Sequence, residues 1–324
     1  MAGRDQGHRR VFCRPFGPSH HSEVPVFRDP ERVLHQGTAV TDSIPRLAAA
    51  TLEPQQVHAA IRDVGCVLLE GVFTTEEVQR PLDAWCEILR AWLHEHGHPA
   101  ADSTDPEALH DAIRAVSPDA AQVALGLGRD LPDYIHLISH PKLRALVGAA
   151  MGSTNHQLAF DHCLMRVDRP LSDATNFTWH QDYTYNVLSE DAVTFWIPLV
   201  PITAEMGPLS VVPGSHGTIR PARMVSDAPR FDPNRLPLVV DAAQQADWEA
   251  RRVEVYPVSP GSLLLFSCTL LHRSGPNRSN RTRFVANGRY GRFDDAALVR
   301  RNWYTARTKY PHFFAQAHPD LVHE

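Results

Sequence analysis

The nine residues Thr178 to Asn186, TWHQDYTYN, set an imidazole and a carboxylate two positions apart, His180 and Asp182, among aromatic and β-branched side chains. Such neighbours favour an extended chain, and on a strand residues i and i+2 share a face. The pair is expected to converge on one ion. A second His-x-Asp, His318 and Asp320, is expected to compete poorly, because Pro319 interrupts strand pairing and no later strand is expected to close a site. A third ligand is expected on a distant, facing strand. The run SLLLFSCTLLHRSGPN supplies His272, 92 positions beyond His180 and just after the strongest apolar stretch of the second half. Two histidines and one carboxylate make the facial triad that holds non-haem Fe(II) with three coordination positions open. A hydrolytic zinc site could use the same three ligands, and a metal-retaining binding protein without turnover is a third reading.

A second group of residues follows His272. Ser274 stands two positions later and Arg283 eleven later, where an apolar strand begins. A guanidinium fork assisted by a hydroxyl suits a carboxylate clamped at two points, as an organic-acid cosubstrate would require. The zinc hydrolase gives no account of these two residues. Arg278 and Arg281, in the intervening turn, read as solvated charges. His216 in PGSH reads as a turn residue, and His94, His96 and His98 in HEHGH as a solvated helix end.

The elements that must position these groups change character half-way along the chain. Residues 1–50 mix Pro, Arg, His and Gly without periodicity and read as an extended or partly ordered arm, with 51–324 as a single domain. Helices are expected from Pro54, from the capping box Thr74-x-x-Glu77 with a kink at Pro81, over PEALHDAIRAV, and from Pro141 to a stop at Gly152. Beyond residue 157 come short strand-like runs: LAFDHCLMRV, FTWHQDYTYN, VTFWIPLV, LSVVPGSH, VEVYPV, SLLLFS and RFVANGRY. This pattern predicts a mainly β barrel or jelly roll with flanking helices. The polar segment 217–252 reads equally as a lid or as a partly helical insertion.

Bulk properties narrow the partners. With 324 residues and a net charge of −5, the chain has no overall basic field for nucleic acid or an anionic membrane, and a small-molecule substrate fits better. No run of about 18 apolar residues occurs. Five scattered cysteines without CxxC spacing suit free thiols in a reducing cytoplasm.

Four separate stretches resemble the phytanoyl-CoA dioxygenase family of Fe(II)- and 2-oxoglutarate-dependent oxygenases. WHQD with FWIPL resembles its iron-binding HxD and following strand, GPLSVVPGSH its hairpin, HRSGPN…R its distal histidine with the cosubstrate's serine and arginine, and VGCVLLEGVFTTEEV its entry segment. The resemblance spans about residues 55–295 and implies a double-stranded β-helix, a cupin-like jelly roll. It implies Fe(II) on His180, Asp182 and His272, and 2-oxoglutarate on Arg283 and Ser274, with Gln181 and Trp196 counted in the cosubstrate pocket. O2 is the second cosubstrate, and the products are succinate, carbon dioxide and an oxidised substrate. Related halogenases lack the carboxylate of the HxD, so Asp182 implies hydroxylation or a kindred oxidation. Tyr183, Tyr185 and Asn186 are expected at the barrel mouth as substrate contacts, which favours a polar small metabolite.

Overall fold

The computed structural model describes residues 43–172, 176–224, 238–240, 242–305 and 312–323. Most of the expected arm and the middle of the 217–252 segment lie outside the described residues. The first half is helical, built from α1 (Pro54–Asp63), α2 (Thr75–Glu95), α3 (Pro106–Val116), α4 (Pro118–Gly128), α5 (Pro132–Ile138) and α6 (Pro141–Met151). Each of these except α2 begins with proline, whose missing N–H costs nothing at a first helical position. α2 begins instead at the capping box, where Thr74 Oγ1 accepts from the Glu77 N–H at 3.1 Å and the Glu77 carboxylate accepts from the Thr74 N–H at 2.7 Å. It continues through Pro81 without interruption. α6 stops at Gly152, in the left-handed region at φ 61°.

Among these helices lie β1 (Arg46–Ala48) and β2 (Cys66–Glu70); after them come β3 (His156–Leu158), β4 (Leu164–Asp168), α7 (Tyr183–Asn186), β5 (Val193–Pro198), β6 (Leu209–Val211), β7 (Ala222–Met224) and β8 (Leu238–Val240). The chain continues with α8 (Gln245–Arg251), β9 (Val253–Glu254), β10 (Leu263–Ser267), β11 (His272–Ser274), β12 (Arg283–Arg292), α9 (Ala296–Arg300), α10 (His312–Ala317) and β13 (Val322–His323). The major sheet has the order β1-β2-β10-β5-β12-β3, with β4 also on β12; a minor sheet runs β11-β6-β9. β1 pairs in parallel with β2, so Arg46–Ala48 form the edge of the major sheet.

Alternation along the major-sheet strands separates two cores. Val193, Phe195, Ile197, Leu263, Leu265, Phe284, Ala286 and Tyr290 pack on the helices, through Leu82, Trp85, Leu89 and their neighbours. The Tyr290 hydroxyl pins this face by donating to Ile138 O at 2.7 Å. The opposite face, with Cys66, Leu68, Trp196, Leu264, Phe266 and Val285, meets Leu209 and Val211 of the minor sheet. Two facing sheets with helices on one outer side form the double-stranded β-helix, the jelly roll anticipated from the strand pattern. A third small sheet, β13-β7-β8, joins Val322–His323 to two strands within the 217–252 segment. Nearby, Trp248 of α8 packs with Trp179, Val212, Val240 and Leu271. Among the described residues no helix is long and apolar enough to cross a membrane.

Candidate active site

Two backbone hydrogen bonds set the histidines. His180 N–H donates to His272 O at 3.0 Å and His272 N–H donates to His180 O at 3.1 Å, an antiparallel bridge that places His180 beside β11 at the edge of the minor sheet. Paired residues project to the same face, and the imidazole centroids are 4.1 Å apart. In each ring Nδ1 is tied to the carbonyl two residues earlier, Thr178 O at 2.7 Å and Leu270 O at 3.0 Å. A carbonyl can only accept, so Nδ1 carries the proton and Nε2 keeps its lone pair. Both Nε2 atoms lie 3.9 Å from an oxygen of Asp182.

Asp182 is held from the other sheet. Arg289 on β12 donates through Nη2 to Oδ1 at 2.6 Å and through Nε to Oδ2 at 3.1 Å, and Thr194 of β5 donates to Oδ2 at 2.6 Å. The triad therefore spans the sandwich, its imidazoles on the minor sheet and its carboxylate anchored to the major one. His180, Asp182 and His272 are all buried, and their ligand atoms lie within 4.8 Å of one another; among the described residues they are the one such metal-competent group.

Charge states follow from these surroundings. Burial, with His272 alongside, pushes His180 down to about 3, and burial lowers His272 against the pull of Asp182. Burial would raise the Asp182 carboxyl, but Arg289 and the two imidazoles outweigh it and hold it below its ordinary value. At neutral pH the site presents two neutral imidazoles and one carboxylate, the protonation a divalent metal requires. The donor set thus fits Fe(II).

The local backbone differs from the expected strand. After the bridge at His180 the chain turns: Asp182 adopts φ −60° and ψ −30°, and Tyr183–Asn186 form one helical turn. Gln181 fixes this turn. Its amide nitrogen donates to Thr218 O at 2.9 Å and to Thr269 O, and its oxygen accepts from the Arg220 N–H at 2.9 Å. Its amide is committed to backbone, which makes it a clasp rather than the pocket residue expected. Because residues i and i+2 share a face on a strand but point to nearly opposite sides of a helix, Tyr183 and Tyr185 diverge. Tyr185 lies with its ring 6.0 Å from that of His180, whereas Tyr183 points toward the chain's end, its hydroxyl 3.2 Å from His318 Nε2. Asn186 donates back to Asp182 O and braces the ligand turn. Of the three expected mouth residues, Tyr185 is the one whose ring faces a triad imidazole, while Asn186 is committed to the Asp182 backbone.

The remaining expected residues line the space between the sheets. Trp196 is two residues beyond Thr194 on the inner face of β5, buried with Phe266 and Val285. Ser274 is two residues beyond His272 and pairs with Leu209. Arg283 opens β12, buried, and its Nη1 donates at 3.1 Å to Met206 O, in the turn that enters β6. Here the adjoining ends of β6 and β11 lie close together: a Cβ on Gly207, at φ +66°, would stand 2.3 Å from Gly275 O. Arg283 also engages Asp168, at 3.0 Å. His216 donates to Arg62 O at 2.9 Å, a structural tie consistent with a turn position.

Sequence reasoning missed Arg289, Thr194, Arg166 and Asp168. A signal existed in RFVANGRY: alternation places Arg283, Asn287 and Arg289 on one face of a strand otherwise apolar.

Comparison with known proteins decides the family. Residues 61–285 match the model described as phytanoyl-CoA dioxygenase (PhyH). The chain belongs to the phytanoyl-CoA dioxygenase family. Family members are Fe(II)- and 2-oxoglutarate-dependent oxygenases, and this chain is an enzyme of that class. A 1-deoxypentalenic acid 11-beta-hydroxylase of Streptomyces arenae is 32% identical over 220 residues, 66% of this chain and 72% of the relative. The ectoine dioxygenase of Sphingopyxis alaskensis is 27% identical over 247 residues, 70% of this chain and 72% of the relative. The non-haem α-ketoglutarate-dependent carbocyclase SnoK from nogalamycin biosynthesis superposes with a TM-score of 0.50 at 20% identity, covering 78% of this chain and 92% of its own. The non-haem monooxygenase ThoJ does so with a TM-score of 0.50 at 20% identity, covering 74% and 78%. At such identity these two structures speak to the fold alone, and they share it.

Proposed function

We propose that this family member hydroxylates, or otherwise oxidises, a polar small metabolite, with Fe(II) on His180, Asp182 and His272 and 2-oxoglutarate reaching from the metal to Arg283 and Ser274. The supporting observation is the meeting of two imidazole lone pairs and an arginine-held carboxylate between two sheets, with a buried arginine farther along the same inner face of β12. When bound, the iron and its cosubstrate supply oxidative decarboxylation to succinate and carbon dioxide, coupled to oxidation of the substrate.

The chain's own residues do the rest. Thr178 O and Leu270 O fix both imidazole tautomers, so no proton has to leave the ligands at neutral pH. Arg289 and Thr194 orient Asp182, and its presence as a carboxylate supports hydroxylation over halogenation. Trp196, Phe266 and Val285 exclude water around the site, which strengthens the pairing of Arg283 with a carboxylate. Tyr185 offers a hydroxyl and a ring face beside His180. The two relatives named for 1-deoxypentalenic acid and ectoine support a small-molecule substrate. The four described cysteines are free and buried, in keeping with a reducing cytoplasm.

The test is addition of oxygen to protein loaded anaerobically with Fe(II) and 2-oxoglutarate, with candidate metabolites and mass analysis of products. Succinate together with a product heavier by one oxygen, or lighter by two hydrogens, is expected. Absence of succinate under every condition would overturn the proposal.

A further inference from the structure

Arg283 does not stand alone on the inner wall. Its Nε and Nη2 each approach Oδ2 of Asp168 at 3.0 Å, across the β4–β12 pair, and Nη2 of Arg166 approaches Oδ1 of the same carboxylate at 2.9 Å. Met165 and Val167 of β4 pack on the helices, so alternation turns Arg166 and Asp168 inward. The side chains of Arg166, Asp168 and Arg283 are 12%, 4% and 2% exposed, which makes Arg166 the most open of the three. Its guanidinium lies 5.1 Å from the centroid of Phe177, whose ring is 5.4 Å from that of His180. The group thus connects the Arg283 end of the wall to the ring of His180.

The charges of these three residues decide what they can hold. Arg283 and Asp168 by themselves cancel. A carboxylate brought to that pair meets no net attraction and has a like charge beside its guanidinium, an unfavourable arrangement where water is excluded. Arg166 returns the sum of the three to +1. We infer that Arg166 is the second cation of the seat for the far carboxylate of the 2-oxo diacid, and that Asp168 is the bridging residue that positions both guanidinium groups. This rests on the assignment of Arg283 to the cosubstrate. The same carboxylate chemistry could come instead from the primary substrate, and the experiment separates the two.

Wild type, Arg166→Gln, Arg166→Gln/Asp168→Asn and Arg283→Ala are loaded anaerobically with Fe(II). Each is titrated with 2-oxoglutarate and with 2-oxobutyrate, which has the same chelating end without the far carboxylate, following the weak visible band of the chelate. Arg166→Gln is expected to weaken 2-oxoglutarate about 10- to 100-fold and leave 2-oxobutyrate unchanged. Adding Asp168→Asn restores the sum to +1, and the asparagine oxygen can still accept from Arg283, so 2-oxoglutarate should return to within a few-fold of wild type. Wild-type affinity for 2-oxoglutarate in Arg166→Gln would overturn the inference and leave Arg166 to the primary substrate. Equal loss of both acids would reduce Arg166 to a structural role. Failure of the double variant to recover would refute the charge argument. Failure of the underlying reading looks different: Arg283→Ala would bind 2-oxoglutarate as wild type does, or wild type would show no band.

Discussion

At the scale of single residues, two backbone carbonyls decide the protonation of the site. Because Nδ1 of His180 and of His272 donates to Thr178 O and Leu270 O, and burial lowers both rings, the ligands are already deprotonated where the metal binds. Metal binding at pH 7.5 is therefore expected to release about zero protons, read by calorimetry in buffers of different ionisation enthalpy. Release of a full proton would contradict this. The same shift bears on stability. His180 is held near 3 in the fold and titrates near its ordinary value of about 6.5 when unfolded, so its contribution is complete above about 6.5 and is lost as pH falls toward 3. Between pH 7.5 and 5.5, metal-free wild type should lose more denaturation free energy than His180→Gln. Arg289 carries a larger consequence. Arg289→Met leaves the buried Asp182 carboxylate without its ion pair, and should destabilise the metal-free protein by about 3–5 kcal/mol in chemical denaturation. The triad was legible in the sequence because its residue types announce themselves. Arg289 was not, because its partner lies 107 positions away and only strand register reveals the pairing.

At the scale of elements, the segment around Asp182 shows where local preference misleads. Trp, Tyr and Thr favour strand, yet the chain turns into α7 because the Gln181 amide fastens it to Thr218, Thr269 and Arg220. His180, Asp182 and His272 come together, but Asp182 stands on a turn where a strand was expected, and Tyr183, Tyr185 and Asn186, expected together at the mouth, diverge. Gln181→Met, which keeps the length and loses the amide, should weaken metal binding about 10- to 100-fold while leaving the preference for 2-oxoglutarate over 2-oxobutyrate unchanged. Equal metal affinity in competition against a chelator would show that the turn holds without its clasp. Helix starts in the first half were more legible, since a proline or a capping box marks each of α1 to α6. α4 and α5 open on Pro118 and Pro132 in the same way and were overlooked, because α4 is rich in alanine and glycine and α5 is short.

At the scale of the whole molecule, the change from helical to strand-forming sequence near residue 157 anticipated two facing sheets with helices outside. Composition could not show how the chain's end returns. Phe313 and Phe314 of α10 are fully buried with Tyr183, Val187 and Leu188, beneath the turn that carries Asp182. Phe313→Ala should cost about 3–5 kcal/mol, read from denaturant midpoints, as for any large core truncation. A loss below about 1 kcal/mol would mean the end packs loosely on the site. The triad itself joins the two sheets, so a metal bound there should act as a strut between them and stabilise the fold. The central claim is that this strut is one Fe(II) held by His180, Asp182 and His272 and ready to be chelated by 2-oxoglutarate. Its most direct test is anaerobic titration of Fe(II)-loaded protein with 2-oxoglutarate, following the weak visible band in wild type and in His180→Ala, Asp182→Ala and His272→Ala. The band should saturate at one 2-oxoglutarate per chain in wild type and be absent from all three variants. A full-strength band in any one variant, or none in wild type, would contradict the account.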